Sequence, residues 1–184
     1  MRSYFELAAK TPTLIVTFVV AALLARFVFP ALAIGGEPLD LKLGYSYAEV
    51  MAVMEQYGPD GRNLYAWASP TLDTLFPIVY VTFFAGIIYR FRPIEKLWIL
   101  AYIPVVAGVW DLCENAQITA MLLQYPNITE SQVSLASTFT IVKSSILGPT
   151  YQLMAVALML LAGIKFVIKH ARVALTIFKN DIEN

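Results

Sequence analysis

Asp111, Glu114 and Asn115 lie three and four residues apart in Val109-Trp110-Asp111-Leu112-Cys113-Glu114-Asn115, at the middle of an apolar run from Leu97 to Leu123. At 100° per residue the three side chains share one helical face with Pro104, Ala107, Ile118 and Leu122. Two carboxylates and an amide on one face can exchange protons, orient a polar partner or balance a buried cation. Three other apolar runs carry groups that could answer them: Arg26 in the first, Asp73 and Tyr80 in the second, Lys143 in the fourth.

Counted from the end of each run that borders the first long loop or the Gln124–Gln132 connection, Arg26, Tyr80, Glu114 and Lys143 are eight to ten residues in. At 1.5 Å per residue that is roughly 12 to 15 Å of depth. Asp111 is one turn deeper. A charge at the centre of a membrane helix costs about 2.5 to 3.5 kcal/mol on an insertion scale. Arg26, Asp111, Glu114 and Lys143 are therefore expected to face one another or a wet cavity. Asp73 reads first as an anion in the opening turn of its helix, favoured by the N-terminal dipole, and second as part of the same site.

The elements that must hold these groups are spans. The chain has 184 residues, 59% of them hydrophobic and 14% charged, which places it among polytopic membrane proteins. The expected fold is all-α, a four-transmembrane-helix bundle in one membrane domain, 1–184, with spans at about 13–34, 70–90, 97–124 and 134–165. Residues 35–69 form the outer loop. Within it, Ser46-Tyr47-Ala48-Glu49 reads as a capping box, and Val50, Met51, Met54 and Tyr57 continue an amphipathic helix that Gly58-Pro59 stops. Ser69-Pro70 reads as the start of the second span, whose face carries Asp73, Phe76, Pro77, Tyr80 and Phe84. Pro149 marks a kink in the fourth span, where Phe139, Thr140, Lys143, Leu147 and Thr150 share a face.

Residues 166–184, with Lys169, Arg172 and Lys179, read as a basic amphipathic helix. Arg2, Lys10, Arg90, Arg92, Lys96 and Lys165 join them on one side of the membrane, while the acidic first loop and Glu130 lie on the other. The positive-inside rule makes both termini cytoplasmic. The first run also fits a signal peptide with a small-x-small site at Ala31-Leu32-Ala33; Arg26 just before that site favours a retained helix.

A formal net charge of zero suggests no nucleic-acid partner, and one cysteine, Cys113, forms no internal disulfide. With the only histidine, His170, beyond the last span, no haem and no complete transition-metal ligand set is expected, and no cofactor is implied. The layout of four spans with a large first outer loop resembles that of claudins and of small sterol-isomerase-like membrane proteins. The loop lacks the paired cysteines of claudins, and no function is carried over from either.

The function these residues suggest is a charged intramembrane site that binds the polar head of an amphipathic ligand or relays protons. Arg26 and Lys143 would hold an anionic head or counter the carboxylates, with Asn115 and Tyr80 orienting the partner. The alternatives are an accessory or assembly subunit bound to another membrane protein, and a proton-coupled transporter. The partners expected are the lipid bilayer and a lipid or other amphiphile.

Overall fold

In the computed structural model, the backbone is described for residues 1–183 and the side chains for residues 1–172; Lys179 lies outside the described side chains. All regular elements among the described residues are helical. A short helix α1 (Arg2–Ala8) leads to α2 (Thr11–Leu23), which continues through a π turn, Leu24–Val28, and a 3-10 turn, Phe29–Ala31. The loop 32–46 is followed by α3 (Tyr47–Phe91). A 3-10 turn, Glu95–Ala101, opens α4 (Tyr102–Gln124), and α5 (Glu130–Val142) runs through a second π turn, Lys143–Leu147, into α6 (Gly148–Glu183). Four stretches are long and apolar enough to cross a membrane: Thr11–Ala31, Tyr47–Phe91, Glu95–Gln124 and Glu130–Arg172. By length and composition the chain is a multi-pass membrane protein.

The helix in the first loop begins where its capping box places it. Ser46 accepts from the Glu49 N–H, and the Glu49 carboxylate accepts from the Ser46 N–H at 2.7 Å. It breaks at Gly58, with φ 63° and ψ 177°, a backbone region open essentially to glycine alone. Arg62 reaches back over the break and donates to the Met54 carbonyl at 2.6 Å, satisfying one of the carbonyls a helix end leaves free. The helix restarts at Pro59 and runs on without interruption, so the expected start at Ser69-Pro70 is corrected. Pro59, already at a first helical position after a glycine break, takes that role, and Pro70 lies in the helix interior.

Two prolines explain the two π turns. Leu24 and Pro30 are six residues apart, as are Lys143 and Pro149. A proline inside a helix has no N–H for the carbonyl four residues back and its ring presses on that carbonyl. In both places the preceding residue bonds five back instead, Phe29 to Leu24 and Gly148 to Lys143, which widens the turn. The kink expected at Pro149 is this π turn.

Most buried apolar side chains fall into two clusters. One, near the loop end, joins Leu39, Val50, Met54, Tyr65, Ile118 and Val133. The other, near α1, joins Phe5, Tyr80, Ile88, Ala107 and Tyr151. On α4, Asp111, Glu114 and Asn115 occupy the turns between Ala107 of one cluster and Ile118 of the other. The polar groups thus form a layer between two apolar ones. Outside this interior, Phe18, Phe27, Ile78, Val106, Leu153 and Leu160 belong to a large exposed apolar surface. Helix α2 buries almost nothing and touches α3 through the Phe18–Phe83 ring pair, and the 3-10 turn after it adds the Phe29–Phe76 pair.

Candidate functional site: a charged cavity between α3, α4 and the α5–α6 turn

Lys143 is the hub. Its ammonium lies 2.5 Å from Glu114 Oε2 and 3.1 Å from Asp111 Oδ1, and Glu114 is fully buried. The separation of Asp111 and Glu114 by three residues sets both carboxylates on the same side of α4, within reach of one cation. Each acid has a further donor. Tyr80 OH donates to Asp111 Oδ2 at 3.0 Å, and Thr140 Oγ1 donates to Glu114 Oε1 at 2.5 Å. Thr140 lies three residues before Lys143, so one turn of the fourth long helix grips Glu114 at both oxygens.

Asn115 does a different job. Pro77 has no N–H to offer the Asp73 carbonyl four residues earlier, and the Asn115 side-chain amide donates to that carbonyl at 2.7 Å. Ser69 returns the favour by donating to the Asn115 carbonyl at 3.2 Å. Trp110 donates to the Phe139 carbonyl at 3.0 Å and ties α4 to α5 beside the ion pairs. These bonds fix the rotation of three helices about the charges.

A cavity of about 350 Å³ opens onto this layer, walled by Asp73, Phe76, Tyr80 and Phe84 from α3, Asp111 and Asn115 from α4, and Lys143 and Tyr151 from the fourth long helix. A second cavity of about 540 Å³ adjoins it, lined by Ala25, Phe29, Leu32, Ile34 and Tyr65 among others. Asp40, Leu41, Asp73 and Phe76 line both. The first chamber is polar and aromatic, the second mainly apolar.

Asp111, Glu114, Asn115, Lys143 and Tyr80 are therefore brought together, and Asp73 stands in the same cavity wall. The reading of Asp73 as an opening-turn anion is corrected, because the helix that carries it begins well before, at Pro59. Arg26 is not brought in. It is exposed, forms no ion pair among the described residues and lines neither cavity. Its depth suits the site but its direction does not: Leu24 is the buried residue of that turn, and two positions on the helix point about 200° away. Lys143 is the only cation in either cavity wall among the described residues.

Four participants escaped the sequence reading. Asp40 and Tyr45 come from the loop. The Tyr45 N–H donates to Ser137 Oγ at 2.9 Å and its hydroxyl stands 3.3 Å from Thr140 Oγ1; burial pushes that hydroxyl up to about 12, so it stays neutral. Asp40 accepts from Tyr65 OH, which also accepts from the Leu39 N–H at 3.1 Å. The third is Thr140, placed on the right face but given no role. The fourth is Tyr151, which replaces Thr150. The π turn adds one residue to the helix, so everything after it rotates by one position; Tyr151 is buried against the cavity and Thr150 is exposed. Pro149, six residues after Lys143, was the available signal.

Among the described residues no group of three or more His, Cys, Asp and Glu side chains converges as metal ligands would. Cys113 is exposed on α4, away from the carboxylates. No protein-family model, curated protein or solved structure matches this chain.

Proposed function

We propose that the chain is an integral membrane protein that binds the polar head of an amphipathic ligand in the charged cavity. The observation that carries the reading is a pair of adjoining cavities, one bearing Asp111, Lys143 and Tyr80 and the other, beyond the shared Asp40 and Asp73, lined mainly by apolar side chains such as Phe29, Leu32 and Ile34. A head and a tail each find a matching wall. A packing device alone has no need of the empty volume.

The orientation that fits places the loop end outside and α1 inside. Arg2, Arg90 and Arg92 cluster at the α1 end, where Glu95 bridges Arg2 and Arg92, and the basic tail follows the same rule. In that frame the helix beginning at Tyr47 caps the bundle outside, the helix end from Lys165 to Arg172 lies on the inner side, and both termini are cytoplasmic. Reporter fusions to each terminus test it.

The ligand reading is tested by native mass spectrometry of the protein released from mild detergent, comparing the native chain with the triple variant Asp111→Asn, Glu114→Gln, Lys143→Met. An amphiphile retained by the native chain and lost by a folded triple variant is the expected result; equal retention overturns it. The accessory-subunit reading draws on Arg26, an exposed cation between Leu23 and Phe27 in the π turn that continues α2. An unpartnered charge on such a face suits a contact with another membrane protein, and Arg26→Leu would then weaken co-purification of that partner without altering amphiphile retention.

A further inference from the structure

We propose that the head bound in the charged cavity is an ammonium group, so that the ligand is a cationic or zwitterionic amphiphile. This rests on the amphiphile-site reading above and adds the sign and chemistry of the head.

The charges facing the cavity decide the sign. Lys143 is the sole cation in the wall among the described residues, and it is already shared between Asp111 and Glu114. Two acids beyond that balance remain, Asp40 and Asp73, both lying where the two chambers meet. Asp40 accepts from Tyr65. The Asp73 carboxylate has no hydrogen-bond or ion-pair partner among the described residues; only its main-chain carbonyl is engaged, by Asn115. An anionic head would meet a cation already spoken for and two further acids, which repel it when ionised. A cationic head supplies the counter-charge that the wall lacks.

The kind of cation follows from the rest of the wall. The carboxylates are spread around the chamber and do not converge as ligands of a small metal ion. Between them stand aromatic rings: Phe76 and Tyr80 with centroids 5.5 Å apart, Tyr80 stacked on Tyr151 at 5.8 Å, and Phe84 against Tyr151 at 4.8 Å. All four rings line the chamber. Aromatic faces beside a carboxylate attract a diffuse, weakly hydrated cation, and an alkylated ammonium is such a cation. Phe76 also lines the second chamber, where Phe29, Leu32 and Ile34 offer an apolar berth for a chain attached to that head.

The test uses the full chain in maltoside micelles, titrated below micellar concentration with three probes of equal tail length: dodecyltrimethylammonium, dodecylphosphocholine, and the uncharged octaethylene glycol dodecyl ether. Thermal stabilisation reports binding. Saturable binding of dodecyltrimethylammonium, at least tenfold tighter than of the uncharged probe, is expected. Asp73→Asn should weaken it about tenfold, the loss of one charge-assisted contact, Tyr151→Leu about fivefold, and both losses should exceed the change in the response to the uncharged probe. If dodecylphosphocholine competes, the natural source is a lipid headgroup; if it does not, the source is a free cationic amphiphile, and either result supports the ammonium site. Equal binding of charged and uncharged probes, or an unchanged affinity in Asp73→Asn, overturns the ammonium head while leaving the amphiphile site standing. No saturable binding of any probe overturns both. Should Asp73→Asn fail to give a monodisperse protein, Phe76→Leu carries the same comparison.

Discussion

The Asn115 amide and the Asp73 carbonyl, 2.7 Å apart, form a hydrogen bond that exists because Pro77 cannot make one. Helix α4 thereby repairs a break in α3 at the level of the charged layer. The repair predicts a coupling. Asn115→Ala should cost about 1 to 3 kcal/mol by leaving a half-buried carbonyl unpaired. In a Pro77→Ala background, where residue 77 supplies its own N–H, the same change should cost less by at least about 0.5 kcal/mol. Thermal or denaturant unfolding of the four proteins in detergent measures the cycle, and strict additivity would refute the assignment.

Removing Lys143 is predicted to be far more harmful than removing the whole charged set. Lys143→Met leaves Asp111 and Glu114 buried without their cation, a loss of about 3 to 5 kcal/mol by analogy with broken buried pairs. The triple variant with Asp111→Asn and Glu114→Gln should recover most of it. Size-exclusion profiles after heating steps rank the three proteins, and a single variant as stable as the native chain would show that the pairs do not hold.

Gly58 makes a prediction about backbone alone. A Cβ built there meets nothing within 4 Å, so any penalty for Gly58→Ala comes from its φ of 63°. That penalty should be about 1 to 3 kcal/mol. By contrast Gly61→Ala would press on the Ile34 carbonyl, 2.1 Å from the added carbon, and should loosen the loop from α3. Hydrogen exchange distinguishes the two: raised exchange across residues 32–46 is expected for Gly61→Ala and not for Gly58→Ala.

Arg26→Gln should leave amphiphile binding intact and should not lower stability, because it removes a charge from an exposed position of a membrane-crossing stretch. A melting temperature several degrees lower, or lost binding, would return Arg26 to the site.

The residues that were legible beforehand are those whose meaning is local. Helical spacing alone put Asp111, Glu114 and Asn115 on one face and Asp73, Phe76, Tyr80 and Phe84 on another, and the Ser46 and Glu49 pair announced its helix. Counting depth also brought Lys143 to the level of the α4 acids. Depth is one coordinate of two, however, and Arg26 failed on the second, the direction around its helix. Tyr151 was hidden by the extra residue of the π turn, which shifts every later position. Asp40 and Tyr45 were hidden for another reason: a loop without periodicity carries no signal of where it folds back, and Leu39, buried completely, anchors it from a distance no local pattern records.

The turn that carries Lys143 also begins a long uninterrupted rod. Residues 148–172 at about 1.5 Å each make an arm of roughly 36 Å, most of it unburied beyond Leu158. Rigid rods magnify what happens at their pivot: one degree of bend at the Lys143 turn carries the far tip by roughly 0.6 Å over that length. Any shift of the Lys143 turn is thus enlarged at the far end of the arm, where Lys165 and Lys169 stand exposed.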